Sequence, residues 1–217
     1  MVTRFGVDLS TATVSDKWVL VRDVNDLNSG DVVTFVTKNY DYVLGVNYSA
    51  TTAGVANYAY ASQTEVVKDG DLLYHNVSVQ NATSKDHIMH HITLVKSGDM
   101  FNFYNGVDYV GDPFVGYLMA SKTNRNMHIQ TYPNADTAFS IAIDKDGVAT
   151  IEATESDRTY NILQYYYSNK RFCCVSSSSS SYVIHIYKLA GANETVPAAN
   201  ASIVTPGAEE FAVIENE

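Results

Sequence analysis

The chain has 217 residues, enough for one good-sized domain with arms, and its hydrophobic content of 46% is typical of a protein with a buried core. Its 24 acidic residues outnumber its 14 basic residues, which gives a formal net charge of −10. Because a negative surface repels phosphate and no cluster of lysines and arginines offsets it, the composition argues against nucleic acids and anionic membranes as partners.

The N-terminal segment and the cysteines bear on cellular location. Residues 1–6 lack the apolar core of an export signal, and no stretch reaches the roughly 18 apolar residues that a membrane helix requires. Cys173 and Cys174 are the only cysteines; being adjacent, they provide no disulfide framework. On a strand they would face opposite ways, which predicts one buried thiol. We expect a fold held by its core, in a chain that is not exported by the usual route.

Strand signals dominate the chain. β-Branched and aromatic residues are concentrated in residues 32–37, 101–104, 139–143, 148–153 and 182–187. Within one of these segments, Phe139, Ile141 and Ile143 alternate with smaller or polar residues, so they are predicted to share one face of a strand. Turn sequences separate the segments, and no window of helical length keeps a period near 3.6. The sequence predicts an all-β protein.

Three passages share one order of parts: a strand, a short strand that contains leucine, another short strand, and an apolar strand. The clearest passage comprises residues 100–104, 116–120, 126–129 and 139–143. Another comprises residues 147–153, 161–165, 171–175 and 182–187. The first passage is looser and comprises residues 32–37, 42–45, an insertion to about residue 70, then 72–76 and 92–95.

Three repeats of four strands give twelve strands, which is the number in a β-trefoil. In that fold six strands close a barrel and three hairpins cap one end, so that few sheet edges stay open. A β-sandwich of about twelve strands is the alternative, because the first repeat is degenerate. The sequence favours the β-trefoil.

The two ends of the chain differ from the middle. Residues 1–16 are predicted to form an N-terminal arm, residues 17–189 the trefoil-like domain, and residues 190–217 an extended tail or linker. After Lys188 the composition shifts to Ala, Asn, Pro, Thr and Glu, which is typical of a linker. Residues 203–204 and 211–214 are nevertheless apolar enough to dock on another protein. We therefore expect protein partners in an assembly, bound through residues 190–217.

The densest group of side chains that could bind a metal lies in residues 86–91, with three histidines and one aspartate. On a strand His87 and His91 would share a face while His90 points away, so at most part of the group converges. Nucleophile motifs and phosphate-binding glycine loops are also absent from the sequence. We predict no catalytic residues, no metal site and no cofactor, and hence a protein that is not an enzyme.

The loops between the second and third strands of the repeats are the better candidates for ligand binding. The candidate residues are Tyr165, Tyr166, Tyr167 and Asn169 in the third repeat, Asn124, Arg125 and Asn126 in the second, and Tyr40, Asp41 and Tyr42 in the first. Aromatic faces stack on sugar rings, while Asn, Asp and Arg hydrogen-bond to hydroxyl groups. These loops suggest a glycan ligand; the alternative is that Tyr and Asn are ordinary residues of hairpin loops.

A series of short segments lies in a fixed order along residues 17–189: WVLV (18–21), GDVV (30–33), GYLMAS (116–121), DGVATI (146–151), NILQY (161–165), FC (172–173) and IHIYKL (184–189). In these segments the chain resembles a module that recurs in proteins of gut Bacteroidales. In that family the trefoil-like module often accompanies secreted nucleases or other surface proteins, and its own role is largely unassigned. The resemblance implies no catalytic residues.

The chain departs from the family pattern in two ways. Tyr166 stands where the family usually has Asn, and the family is usually exported, whereas this sequence shows no signal. A virion protein of a phage that infects these bacteria needs no signal. The leading hypothesis is a non-catalytic component of a larger assembly, such as a phage capsid, head-fibre or tail protein. The alternative is a carbohydrate-binding accessory module of a secreted protein. The expected location is the virion or the extracellular or cell surface.

Overall fold

The computed structural model describes residues 13–39, 42–44, 55–56, 60–62, 66–76, 91–106, 115–155, 157–167, 171–176 and 183–196. Within these ranges the chain forms sixteen strands and two 3₁₀ helices, Val24–Asp26 and Ala135–Thr137. The strands are β1 (Thr13–Leu20), β2 (Val32–Thr37), β3 (Tyr42–Leu44), β4 (Val55–Ala56), β5 (Tyr60–Ser62), β6 (Val66–Asp69), β7 (Leu72–Asn76), β8 (Ile92–Ser97), β9 (Met100–Asn105), β10 (Gly116–Ala120), β11 (Met127–Gln130), β12 (Phe139–Ile143), β13 (Val148–Ala153), β14 (Ile162–Tyr166), β15 (Arg171–Val175) and β16 (Ile184–Val196).

Six strands close a barrel through antiparallel pairing. Around the barrel β2 pairs with β8, β8 with β9, β9 with β12, β12 with β13, and β13 with β16. The ring closes because β16 pairs back with β2, from Ile184 opposite Thr37 to Lys188 opposite Val33. Closure pairs the backbone groups that an open sheet would leave along its edges.

Short strand pairs lie between the barrel strands of each repeat. β3 pairs with β5, β10 with β11, and β14 with β15. The first repeat therefore consists of β2, β3, β5 and β8, the second of β9 to β12, and the third of β13 to β16. A six-stranded barrel with three such pairs is the β-trefoil arrangement, so the all-β, three-repeat prediction is confirmed.

One strand of the first repeat was assigned wrongly from the sequence. Leu72–Asn76 fits the repeat pattern as its third strand, but this strand, β7, pairs with β6 and β1 outside the barrel. The place of the third strand belongs to β5, within the insertion. β6 and β7 are joined by a turn in which Gly70 has a φ of 58°. The assignment was wrong because the sequence of a short apolar strand does not indicate which strand it pairs with.

The last strand continues beyond the barrel into an additional sheet. Its later residues pair with β1, up to Thr13 opposite Val196, and the sheet has the order β16-β1-β7-β6. The predicted boundaries of the central domain, at residues 16/17 and 189/190, thus fall inside paired strands. Residues 1–12 and 197–217, and with them most of the predicted arm and tail, lie outside the described residues.

Aromatic rings from different repeats fill the barrel. Phe35 and Phe103 meet edge to face with centroids 5.1 Å apart, and Phe103 and Phe139 lie at the same distance in a tilted arrangement. All three rings are completely buried. Burying each side chain of this size stabilises the fold by roughly 1.5–3 kcal/mol before entropy is counted.

A second apolar cluster packs the additional sheet against the outside of the barrel. It contains Trp18 and Leu20 from β1, Leu73 from β7, Val36 from β2 and Tyr187 from β16, together with Val43. Trp18 and Leu73 are fully buried there. β1 therefore belongs to the packed domain.

The turn between the second and third repeats needs glycine. Gly147 has a φ of 79°, and a Cβ atom at this position would lie 2.9 Å from a methyl carbon of Leu20. The Asp144 carboxylate accepts hydrogen bonds from the backbone N–H groups of Asp146 and Val148, each at 2.9 Å. His185, buried on β16, donates from Nδ1 to the Gly147 carbonyl at 2.8 Å. The turn is thereby fixed to the strand that closes the barrel.

Candidate functional site

The structure describes seven of the ten residues predicted to bind a ligand. Tyr40, Asp41 and Asn169 lie outside the described residues. The other seven fall into two groups around the β14–β15 pair. One group is a tyrosine cluster formed by Tyr42, Tyr165 and Tyr167. The other is the loop that carries Asn124, Arg125 and Asn126, together with Tyr166, over which Arg125 lies.

The tyrosine cluster joins the first repeat to the third. The ring of Tyr165 stacks on that of Tyr42, with centroids 5.0 Å apart and planes at 20°. Tyr167 meets Tyr165 edge to face at 4.8 Å and Tyr42 at 6.3 Å. Tyr42 and Tyr167 are half-buried and pack against the core.

Tyr165 belongs to the core and not to a ligand surface. Its exposed fraction is 0%, and Phe172, its partner across β15, covers it edge to face at 5.0 Å. Side chains alternate along a strand, and the alternation on β14 turns Leu163 and Tyr165 inward while Tyr166 takes the other face. The sequence could not show this alternation, because three successive tyrosines do not indicate which side chain faces the core and which faces the surface.

Arg125 of the second repeat lies over two tyrosines of the third. Its guanidinium carbon is 4.9 Å from the ring centroid of Tyr166 and 5.4 Å from that of Tyr160. Hydrogen bonding to Tyr166 raises the pKa of the guanidinium above its usual value. Arg125, Tyr160 and Tyr166 are all half-buried, and we call the surface that they form the cap surface.

Backbone hydrogen bonds hold the loop that presents Arg125. The Ser121 hydroxyl accepts from the N–H groups of Thr123 and Asn124, and the Asn124 side chain accepts from the N–H of Asn126 at 2.8 Å. The Arg125 carbonyl accepts from the N–H of Cys174 on β15 at 3.0 Å. The Asn124 side chain and the Asn126 backbone thus shape the loop, which gives Asn124 a positioning role.

A buried arginine anchors the start of the same loop, and sequence reasoning missed it. The side chain of Arg158 is fully buried and donates to the carbonyl of Ala120 and, at 2.7 Å, to the Asp136 carboxylate. Lys122 extends this network to Asp136 and Asp157, at 3.3 and 3.1 Å. A single arginine in a turn carries no sequence signal of such a role, because its partners come from distant segments.

Both cysteines are buried, in contrast to the prediction of one buried thiol. Desolvation raises the pKa of Cys173 and of Cys174, and the Sγ of Cys174 lies 3.4 Å from the Sδ of Met127. Cys174 faces the core. Cys173 shares the opposite face with Tyr166, where Arg171 and Arg125 interact with it electrostatically. The Arg125 loop of the second repeat therefore covers the face of the β14–β15 pair that carries Cys173 and Tyr166. In an isolated β14–β15 hairpin this face would be exposed.

Only His91 of the predicted histidine-rich segment is described. Its Nε2 lies 3.5 Å from a carboxylate oxygen of the buried Asp16, and its ring meets Trp18 edge to face at 5.0 Å. Residues 86–90 lie outside the described residues. In the described part of the chain, no three His, Cys, Asp or Glu side chains form a group that could hold a metal ion.

No protein-family model and no curated protein matches the chain. Similar solved structures include the cytolethal distending toxin of Haemophilus ducreyi, 14% identical, covering 80% of this chain and 88% of that chain with a TM-score of 0.44. The cytolethal distending toxin of Actinobacillus actinomycetemcomitans is 12% identical, and the match covers 80% of this chain and 96% of that chain, also with a TM-score of 0.44.

A third similar structure is the BEL beta-trefoil. It is 11% identical, covers 78% of this chain and 100% of that chain, and has a TM-score of 0.44. Similarities of this strength carry no inference about function. Across the described ranges, no helix is long and apolar enough to cross a lipid bilayer.

Proposed function

We propose that the chain is a non-catalytic binding module that holds a carbohydrate on the cap surface. The observation that carries the proposal is the position of Arg125 over the rings of Tyr160 and Tyr166. A guanidinium fixed against aromatic rings offers directed N–H donors beside an apolar face, which is the combination that a sugar ring with hydroxyl groups requires.

Preorganisation also supports a binding role. The Arg125 loop is held by Ser121, by Asn124 and by the bond to β15, so little order has to be gained when a ligand arrives. Among the described residues Arg125 forms no ion pair, and it lies against the rings of Tyr160 and Tyr166.

A glycan array probed with the purified chain tests this proposal. We expect binding to at least one bacterial or host polysaccharide. Arg125→Met and Tyr166→Ala should each weaken it at least about tenfold, because both remove contacts from a small interface. Arg22→Met is the matched control for lost charge, since Arg22 pairs with Asp71 elsewhere on the surface. Tyr132→Ala is the control for a lost tyrosine, because that ring is 77% exposed.

If the wild-type chain bound no glycan on the array, the proposal would be contradicted. Binding that survives both cap substitutions would equally contradict it, since the ligand would then contact another surface.

We propose as a second candidate that the chain is a component of a larger assembly, such as a phage capsid, head fibre or tail. The observation in its favour is that Thr13 pairs with Val196, so the first and the last described residues of the chain lie side by side. Segments attached at these two positions can contact the same neighbouring subunit. Residues 190–217 are the proposed contact with protein partners, and the proposed location is the virion or the cell surface.

Sedimentation velocity tests the assembly candidate. We expect the full chain to sediment as an oligomer, and Ile203→Asp combined with Phe211→Asp to convert it to a monomer, because charge in an apolar contact is costly. Tyr132→Asp introduces one aspartate on the described surface, where Tyr132 is 77% exposed, and should leave the oligomer intact. A wild-type monomer at about 100 μM, where even micromolar contacts are populated, would contradict self-assembly.

A further inference from the structure

A groove on the barrel wall, separate from the cap surface, has the features of a second ligand site. It lies where the end of the first repeat, the start of the second and the segment before β12 meet, and its volume is about 520 Å³, within the range of small-molecule sites. Its principal lining residues are Val95, Met100, Asn102, Pro133, Ala135 and Ala138. Neither Arg125 nor any of the candidate tyrosines lines it.

The floor of the groove carries a buried carboxamide. Asn102 is only 6% exposed, and it faces the groove from β9 beside Val95, its partner across β8. The Thr137 hydroxyl donates to Asn102 Oδ1 at 2.6 Å, and Thr137 is itself tied to the backbone of Asn134. No described residue accepts a hydrogen bond from the amide nitrogen of Asn102. One end of the carboxamide is therefore held by Thr137, and Asn102 lines the groove.

The walls are mostly apolar, with one cation at the rim. Met100, Pro133, Ala135 and Ala138 present methyl and methylene groups. The ammonium of Lys96 lies 5.2 Å from the ring centroid of Phe101.

We propose that this groove binds an N-acetylated amino sugar through its acetamido group. That group combines a carbonyl acceptor, an N–H donor and a methyl group in one compact unit. The carbonyl accepts from the Asn102 amide while the methyl packs on Ala135 and Ala138. A hydroxyl group in the same place would satisfy Asn102 but leave the apolar wall without a partner. Lys96 donates to hydroxyl groups at the rim.

Paired glycosides test the proposal directly. The ¹⁵N-labelled chain is titrated with methyl β-N-acetylglucosaminide and with methyl β-glucoside, which differ only in the acetamido group. We expect saturable amide shifts in residues 95–102 and 133–138, with affinity for the acetamido glycoside at least about tenfold higher. Asn102→Asp, which keeps the shape but removes the donor, should abolish the shifts. Ala135→Trp should do so by filling the groove.

Ala142→Trp is the matched control for Ala135→Trp, because Ala142 is exposed on β12 and does not line the groove. It should bind like the wild type, and so should Arg125→Met, since the groove is independent of the cap surface. Equal affinity for both glycosides would overturn the acetamido assignment. Absence of shifts at about 50 mM ligand, well above a millimolar Kd, would overturn the site. Shifts confined to residues 121–126 and 160–166 would overturn the groove while supporting the cap surface.

Discussion

Phe103→Ala is expected to lower the free energy of unfolding by about 3–5 kcal/mol, which for many domains is a large part of the total. Phe103 is completely buried and contacts Phe35 and Phe139, so its removal leaves a cavity between strands of two repeats. The barrel strands surround the Phe103 side chain, and each strand is hydrogen-bonded to a neighbour on either side. The backbone can therefore move only partly into the cavity. Urea-induced unfolding followed by circular dichroism measures the change.

Tyr132→Ala removes an aromatic ring that is 77% exposed and serves as the control for Phe103→Ala. It should change the free energy of unfolding by at most about 0.5 kcal/mol. A Phe103→Ala protein as stable as the control would show that the rings do not pack as a common core.

Arg158→Met is expected to cost about 3–5 kcal/mol of stability, because it breaks a buried ion pair from one side. The substitution fills a similar volume but leaves the Ala120 carbonyl without its donor and Asp136 without its closest cation. These partners come from the second repeat, whereas Arg158 precedes β14 in the third. The loss should therefore also loosen the Arg125 loop, and we expect weaker ligand binding at the cap surface together with lower stability.

Lys122→Met separates burial from charge in the same network. Lys122 contacts Asp136 and Asp157 but its side chain is 49% exposed, so solvent screens these pairs and little stability should be lost. Thermal unfolding of the two variants side by side compares them. If Lys122→Met and Arg158→Met were equally destabilising, the buried position of Arg158 would not be the reason for its effect.

The architecture could be predicted from the sequence because its signals are local and repeated. The alternation of Phe139 and Ile141 with Ser140 and Ala142 matches the burial along β12. Each apolar strand can be predicted from its own residues alone, and the repeated order of the strands indicates three-fold symmetry. The partner of a short strand is not a local property, which is why β7 was placed in the first repeat although it pairs with β1.

The site was predictable in composition but not in arrangement. The sequence identified the loops that hold Arg125 and Tyr166, and the fold brings these two residues together across a repeat boundary. Inward or outward orientation could not be read for Tyr165 and Tyr167, because Tyr suits both a core and a surface. Arg158 and Asn102 depend on partners that only tertiary structure supplies, namely Ala120 and Asp136 for the first and Thr137 for the second.

Hydrogen–deuterium exchange, measured with and without the polysaccharide that binds most strongly on the glycan array, tests the central claim most directly. The proposal that the cap surface binds a carbohydrate predicts slower exchange in the peptides covering residues 121–126 and 160–166, with the opposite side of the barrel unchanged. In Arg125→Met this protection should disappear at the same ligand concentration. Protection that falls elsewhere on the chain, or that persists in Arg125→Met, would contradict binding at the cap surface.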